Sequence, residues 1–285
     1  MEILNFSLIN SKLKPYFNDF VVTHLDSFYY SSILEITPEN EIQQRALVLF
    51  VKSVNCIKSI NTLFNNGDIV SARILMRSLF ELVLLIKKIR KEPEEFIRYS
   101  KAYEKFKSME MNKVQLSDMS GEGFIQFLSK EELENNIESL KQEITDLGFT
   151  PTWNKQTGKP VVEKYFEIKE LAIEVDMENL YKTTYKNLCL DTHTSSAHFN
   201  KYYFVTNSGS EILNLHPYLH ELDLMICITV GFMFDFFSDF NALLNTKEKT
   251  TAEIQYNKLS HFASSLMPRL TLQGHFKKNG LALML

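Results

Sequence analysis

Residues 69–91 read IVSARILMRSLFELVLLIKKIRK, and this stretch decides the fold. Its apolar residues recur at spacings of three and four, which predicts an α-helix. Asp68 can cap this helix, and Pro93 must end it because proline disfavours helical geometry in the residue before it. The helix is apolar almost all round, and so is the helix predicted from Pro217 to about Leu244. Helices without a polar face belong inside a bundle, so we expect these two at its centre.

The same helical spacing continues along most of the chain, whereas strict alternation over a strand length is scarce. The sequence therefore predicts an all-α protein, an antiparallel helical bundle with a charged helical insertion at about 100–160, folded as a single domain of residues 1–285. The helix predicted at about 38–65 has Thr37 as its cap and Pro38 in its first position, and the helix predicted at about 130–147 follows the capping box Ser129-x-x-Glu132. The other predicted helices lie at about 12–34, 93–117, 162–175, 177–199 and 251–267. A loop is predicted at 148–161 and a turn-rich break at 206–210.

Composition narrows the functional classes. The 285 residues are 45% hydrophobic and 23% charged, which is typical of a soluble globular protein. A net charge of −4 argues against broad adhesion to nucleic acid or anionic membrane, so a polyanion would bind only at a local basic site. No signal peptide is indicated, and the most apolar run, residues 224–234, is too short to span a bilayer. The three cysteines lie far apart without CxxC spacing, so we expect a cytoplasmic protein without disulfides.

A narrow polar stripe runs along one face of the helix of residues 69–91. Arg73, Arg77 and Glu81 are its only charged side chains before the C-terminal end, and their spacing of four stacks them on one face. In one interpretation Arg77 and Glu81 form a buried or half-buried ion pair that fixes the register of the helix. In the other they face a cleft, where arginine binds phosphate and the carboxylate orients a neighbouring base.

A second polar segment, residues 181–200, reads YKTTYKNLCLDTHTSSAHFN. Lys186 and His193 are seven residues apart, so in a helix they share one face. A histidine with a pKa of about 6.5 can exchange a proton at neutral pH, and a nearby cation can stabilise charge on a phosphoryl oxygen. These are the minimum parts for metal-free RNA cleavage with the substrate's 2′-hydroxyl as nucleophile. In the alternative interpretation His193 and His198 are hydrogen-bonded structural residues.

Two segments together carry a resemblance to a known family. ARILMRSLFE at 72–81 and YKNLCLDTH at 185–193 resemble uncharacterised bacterial helical proteins with an L-R-S-x-x-E helix and a Y-R-x-L-S-x-x-x-H segment. The second of those segments is similar to the HEPN superfamily of small helical bundles, whose ribonuclease members carry an arginine, four to six residues, and a histidine. In such members two subunits usually pair to form one composite site, as in toxins and phage-defence effectors that cleave RNA.

The resemblance implies roles for individual residues. Lys186 takes the place of the arginine, Asn187 that of the polar residue after it, His193 that of the histidine, and Glu81 matches the acidic residue of the preceding core helix. The supporting or phosphate-binding groups would be Arg77, Arg73, Asn187 and His198. The resemblance also implies a homodimer, RNA as substrate, and an antitoxin or defence partner. The sequence departs from the pattern at Lys186, because lysine lacks the bidentate fork of arginine, and the alternative is a noncatalytic sensor or protein-interaction module.

Metal chemistry has a weaker signal. His216 and His220 lie one helical turn apart, a spacing able to hold zinc or iron, although the HExxH pattern is absent. The alternative is that both histidines cap the start of a helix or face solvent. The sequence has no Gly-rich phosphate loop and no G-x-S-x-G elbow, which removes the usual support for a nucleotide triphosphatase or a serine hydrolase. We therefore expect no metal in the site and no cofactor.

Overall fold

The computed structural model describes residues 2–3, 11, 13–35, 37–117, 128–154, 158–190, 202–206, 209–213, 221–244, 251, 253–258 and 260–261. The chain divides into two compact units. The first comprises Met1–Arg90 and Met177–Leu285, and the second comprises Lys91–Asp176. The charged insertion that we predicted at about 100–160 lies within the second unit, which extends beyond it at both ends.

Helices make up most of the described chain, and the predicted all-α helical bundle is confirmed. They are α1 (Lys14–Asp19), α2 (Asp26–Glu35), α3 (Glu41–Asn66), α4 (Ile69–Lys91), α5 (Pro93–Ser117), α6 (Lys130–Asp146), α7 (Ile168–Glu174), α8 (Glu178–Leu180), α9 (Lys186–Cys189) and α10 (Leu222–Leu244). Turns of π-helix occupy Phe20–Leu25 and Tyr181–Tyr185, and a 3₁₀ helix occupies Val161–Phe166.

The junction between α3 and α4 follows the prediction. Gly67 ends α3 with a φ of 74°, a left-handed conformation that glycine adopts without steric cost. Asp68 then caps α4, because its Oδ1 accepts a hydrogen bond of 3.1 Å from the Ser71 amide. So short a turn leaves α3 and α4 as antiparallel neighbours.

The predicted start of α3 is wrong by three residues. The helix begins at Glu41 rather than at Pro38, and its cap is Asn40 rather than Thr37. Asn40 has an extended backbone, and its Oδ1 accepts a hydrogen bond of 3.0 Å from the Gln43 amide. Asparagine is a stronger N-cap than threonine, so the later residue determines where the helix begins.

Irregular turns interrupt three helices that we predicted as continuous. The helix predicted at 12–34 contains the π-turn Phe20–Leu25, and the one predicted at 162–175 changes from 3₁₀ to α geometry at Glu167. The helix predicted at 177–199 contains the π-turn Tyr181–Tyr185. Its predicted end lies outside the described residues.

Helix α10 packs against both α3 and α4 in the core of the first unit. Phe240 stacks on Phe50 of α3 with ring centroids 4.3 Å apart, and Phe232 contacts Phe80 of α4 at 5.2 Å. Both Phe50 and Phe240 are completely buried. These contacts are those expected of a central helix, as its apolar sequence predicted.

Helix α3 is the one described helix long and apolar enough to cross a membrane, judged by length and composition alone. Phe50, Val54, Ile57 and Ile60 of this helix are all completely buried inside the protein. Burial in the core of the first unit therefore accounts for the apolar character of these four positions.

The second unit has its own hydrophobic core, formed mainly by α5 and α6. Ala102, Phe106 and Met109 of α5 pack with Ile137 and Ile144 of α6. Ser129 and Glu132 form the predicted capping box at the start of α6.

Trp153, in the predicted loop, packs its ring edge-on against Phe106 with centroids 5.4 Å apart. The loop is therefore anchored to the core of the second unit.

A small sheet accompanies the helices of the first unit, although the sequence predicted none. Its strands are β1 (Glu2–Ile3), β2 (Tyr203–Val205) and β3 (Glu211–Leu213), in the order β1-β3-β2. β3 is antiparallel to β2 and parallel to β1. Strands of two or three residues are too short for an alternating pattern to be recognised.

Candidate functional site

The polar stripe of α4 meets the segment before α9 through one tyrosine. The Tyr185 hydroxyl donates a hydrogen bond of 2.7 Å to Glu81 Oε1 and accepts one of 3.0 Å from Arg77 Nε. Arg77 Nε and Glu81 Oε1 are themselves 3.3 Å apart. The three side chains form a closed polar cluster, hereafter the Arg77–Glu81–Tyr185 cluster, whose members come from segments about a hundred residues apart in the sequence.

The aromatic ring of Tyr185 fixes the direction of its hydroxyl. The ring lies 5.3 Å from that of Phe80 and 5.3 Å from that of Tyr181, on which it stacks, and the residue is 5% exposed. Burial raises the pKa of Tyr185, so the hydroxyl keeps its proton at neutral pH and can donate to Glu81. The hydrogen bond from Arg77 to this hydroxyl raises the pKa of the guanidinium, which therefore stays charged.

Arg73 anchors the α9 region to α4 one turn earlier. Its Nη2 donates a hydrogen bond of 2.9 Å to the backbone carbonyl of Asn187, and its Nη1 lies 3.3 Å from Glu221 Oε2. The Arg73 side chain is only 6% exposed. It therefore connects α4, α9 and the start of α10, and holds the backbone next to Lys186 in place.

Lys186 and Asn187, two of the residues that we predicted to bind phosphate or support its binding, are both solvent-exposed. The Lys186 ammonium lies 5.7 Å from the centre of the Tyr181 ring, a cation–π contact. The Asn187 amide donates a hydrogen bond of 2.7 Å to the carbonyl of Thr183. Lys186 thus presents its charge to solvent, next to the Arg77–Glu81–Tyr185 cluster in the chain.

A π-turn positions these residues. Tyr181–Tyr185 adopts π-helical geometry, and α9 follows from Lys186 to Cys189. One extra residue in a turn rotates the side chains after it relative to those before it, and such turns occur frequently at functional sites. Here the turn ends at Tyr185, whose side chain faces α4, while the next two side chains face solvent.

The predicted histidines, His193, His198, His216 and His220, lie outside the described residues. Of the predicted site, the structure places Arg77 beside Glu81 and Arg73 against the backbone of Asn187, and Lys186 is the chain neighbour of Asn187 with its side chain in solvent. The Arg77–Glu81 ion pair of the first interpretation is present, and the two side chains are 33% and 31% exposed. The pair is therefore half-buried, as that interpretation allowed.

Other chemistry has little support among the residues with a described position. They contain no group of three His, Cys, Asp or Glu side chains that could hold a metal ion. Burial raises the pKa of Cys56 to about 12, so this thiol stays protonated at neutral pH and is a poor nucleophile.

One protein-family model matches residues 44–211, which is more than half of the chain. The chain belongs to DUF5677, a family of unknown function. No curated protein and no solved structure matches it. The DUF5677 match covers both segments that carried the resemblance, 72–81 and 185–193, so the prediction of an uncharacterised family is confirmed.

Sequence reasoning missed two residues of the site. Tyr185, inside the DUF5677 match, was quoted only as the first letter of the segment YKNLCLDTH, and its hydroxyl had no assigned role. Glu221, beyond the match, has no role in the site predicted from the sequence. The position of Tyr185 directly before Lys186 was a usable signal, because adjacent helical residues point in different directions and an aromatic one favours the buried side.

Removing the Tyr185 hydroxyl tests the Arg77–Glu81–Tyr185 cluster. We expect Tyr185→Phe to lower the free energy of unfolding by about 1–2 kcal/mol, because both hydrogen bonds to charged groups are lost while the ring stays packed. Urea denaturation measures the change. Tyr181→Phe is the matched control and should stay within about 0.5 kcal/mol of the wild type, since its hydroxyl has no hydrogen-bond partner among the described residues. Equal effects of the two substitutions would contradict the cluster.

Proposed function

We propose that this protein is a HEPN-like, metal-independent endoribonuclease of the toxin or phage-defence type, acting in the cytoplasm as a homodimer. Lys186 binds the scissile phosphate, His193 is the general acid or base, and Arg77 with Glu81 supports them. The observation that carries the proposal is the Arg77–Glu81–Tyr185 cluster. It joins the two segments whose combination resembles the uncharacterised bacterial proteins, the second of which is similar to the HEPN superfamily, and its Tyr185 is the chain neighbour of Lys186.

The exposure of Lys186 supports a role in binding. Its ammonium contacts only the face of the Tyr181 ring among the described residues, and a cation–π contact at an exposed site contributes about 0.5–1 kcal/mol. A phosphate can therefore engage this ammonium at little cost. The buried Arg73 holds the backbone of Asn187, so the lysine emerges from a fixed position. Fixed placement of a charge is what electrostatic catalysis requires.

The reaction assigned to the site is an internal transesterification. A general base removes the proton of the RNA 2′-hydroxyl, whose oxygen then attacks the adjacent phosphorus while the bond to the 5′-oxygen breaks and that oxygen is protonated. The products are a 2′,3′-cyclic phosphate and a 5′-hydroxyl. Lys186 stabilises the charge that accumulates on the phosphoryl oxygens.

A noncatalytic sensor or interaction module, such as one that docks an antitoxin or defence partner, is the second candidate. It is favoured by the way Arg73, Arg77 and Glu81 are used, because each makes contacts that hold α4 to the 181–189 segment or to α10. Charges used in this way stabilise a fold without acting on a substrate. Lysine in the arginine position fits this candidate as well.

Cleavage of total RNA by the purified protein in excess chelator tests the proposal. We expect Lys186→Ala to lower the cleavage rate about 100-fold, because the transition state loses its positioned cation. Lys186→Arg should keep the activity, since it restores the guanidinium of the related pattern.

Lys182→Ala is the matched control. Lys182 lies one turn earlier on the same helical segment, is also exposed, and pairs with Glu178 at 2.6 Å. Its removal should leave the cleavage rate unchanged. Equal losses in the two alanine variants would remove the assignment of Lys186. An inert wild-type protein, tested with and without its partner, would favour the noncatalytic module.

A further inference from the structure

The outward face of the α3–α4 pair is an open groove with a volume of about 420 Å³. On the α4 side it is lined by Leu75, Ser78, Leu82 and Leu85. Their spacings of three, four and three are those of a helix seam that packs against further helices. The three leucines are only partly buried, so this seam remains open in the structure.

The opposite side of α4 packs in the core. Met76, Leu79, Phe80 and Val83 are completely buried in the core of the first unit. A helix that is apolar on all sides belongs to the interior of a bundle, and α4 has such a sequence. Among the described residues only α3 and α4 line the groove, so the apolar seam of α4 lacks a cover there.

The charges of the groove are complementary to those of a second copy. Lys52 of α3 and Glu81 of α4 both line it. The Lys52 ammonium has no ion-pair partner among the described residues, and both contacts described for Glu81 use Oε1, which leaves Oε2 available. A two-fold contact pairs residue i with residue j and also j with i. Two copies can therefore form the pair of Lys52 with the partner's Glu81 twice.

The size of the face also suits a homodimer. A helix rises about 1.5 Å per residue, so α4 with its 23 residues is about 35 Å long. Over that full length, two adjacent helices, each about 10 Å across, present at most roughly 700 Å² to a partner. Stable complexes bury about 800 Å² on each partner.

We infer that the α3–α4 groove is the surface on which two copies of this chain pair. The leucines of α4 form the centre of the contact, and the pairs of Lys52 with the partner's Glu81 flank it. This inference rests on the homodimer of the proposed function, but not on RNA cleavage. Because Glu81 also accepts the hydrogen bond of Tyr185, each candidate site borders the interface, an arrangement that a composite site requires.

The inference is tested by comparing the molar masses of the full-length wild type and its Ser78→Arg variant, measured by light scattering across a wide concentration range. Ser78 is exposed in one chain, so the substitution leaves the monomer intact. The wild type should have twice the 33.2 kDa mass of one chain. Ser78→Arg should raise the dimer dissociation constant at least about 100-fold, because each subunit brings a long, charged side chain into the tightly packed centre of the contact.

Two further variants complete the experiment. Ser139→Arg is the matched control, an exposed helical serine of the second unit, and should remain dimeric. Lys52→Glu should also weaken the dimer, about tenfold, by bringing like charges together at the partner's Glu81. It keeps the test decisive if Ser78→Arg fails to fold.

Three outcomes would overturn the inference: a wild type that is monomeric at every concentration, a dimer that neither Ser78→Arg nor Lys52→Glu weakens, or equal weakening by Ser139→Arg. A monomer in which another segment of the same chain covers the groove belongs to the first outcome. The mass measurement is independent of RNA cleavage. A dimer that Ser78→Arg and Lys52→Glu weaken but that cleaves no RNA would refute the nuclease and keep the interface. A monomer that cleaves RNA would refute the interface and keep the nuclease.

Discussion

His193→Ala is expected to lower the rate of RNA cleavage by about 10²- to 10⁴-fold, the contribution of a positioned general acid or base. Among common side chains, an imidazole with a pKa of about 6.5 is the one that both accepts and donates a proton near neutral pH. In the proposed reaction, the 2′-hydroxyl of this variant must lose its proton to water, while the role proposed for Lys186 is unaffected. Single-turnover cleavage of a short RNA in excess chelator measures the loss.

The end groups of the products make this prediction sharper. Attack by the 2′-hydroxyl leaves a 2′,3′-cyclic phosphate, so a substrate with one 2′-deoxynucleotide at the scissile position should not be cut there. His261→Ala is the matched control, because His261 is exposed near the end of the described chain, and its loss should have no effect. Unchanged cleavage in His193→Ala, or cleavage at the deoxynucleotide, would show that the catalytic assignment is wrong.

Features that depend on local sequence were predictable. Asp68 and Pro93 delimit α4, and Ser129 with Glu132 opens α6, because capping and proline geometry act within a few residues. The start of α3 was harder to predict, because Thr37 and Asn40 compete as caps and only their relative capping strength decides where the helix begins. The π-turn before α9 has no such local signature.

The candidate site divides in the same way. The Arg77–Glu81 contact follows from a spacing of four on one helix, so the sequence alone predicted it. The bridging role of Tyr185 depends on how α4 and the 181–189 segment pack, and no spacing rule connects residues 104 positions apart. The same holds for Arg73 and Glu221, which are separated by 148 positions. Polar partners of this kind become visible only in the tertiary structure.

Arg73→Met is expected to lower the free energy of unfolding by about 2–3 kcal/mol. Methionine keeps much of the volume, but the Asn187 carbonyl and Glu221 each lose the charged partner that the structure gives them. A half-exposed ion pair would cost far less, because water replaces the lost partner. Arg73 is almost fully buried, and water reaches its site poorly.

Urea denaturation at constant m-value measures this change. Lys182→Met is the matched control: it removes an exposed pair with Glu178 from the same helical segment and should cost no more than about 0.5 kcal/mol. If Arg73→Met also cost no more than about 0.5 kcal/mol, the anchoring of α9 on α4 would be contradicted. The full loss would mean that the placement of Lys186 depends on Arg73, so the remaining folded protein should also cleave RNA more slowly than Lys182→Met.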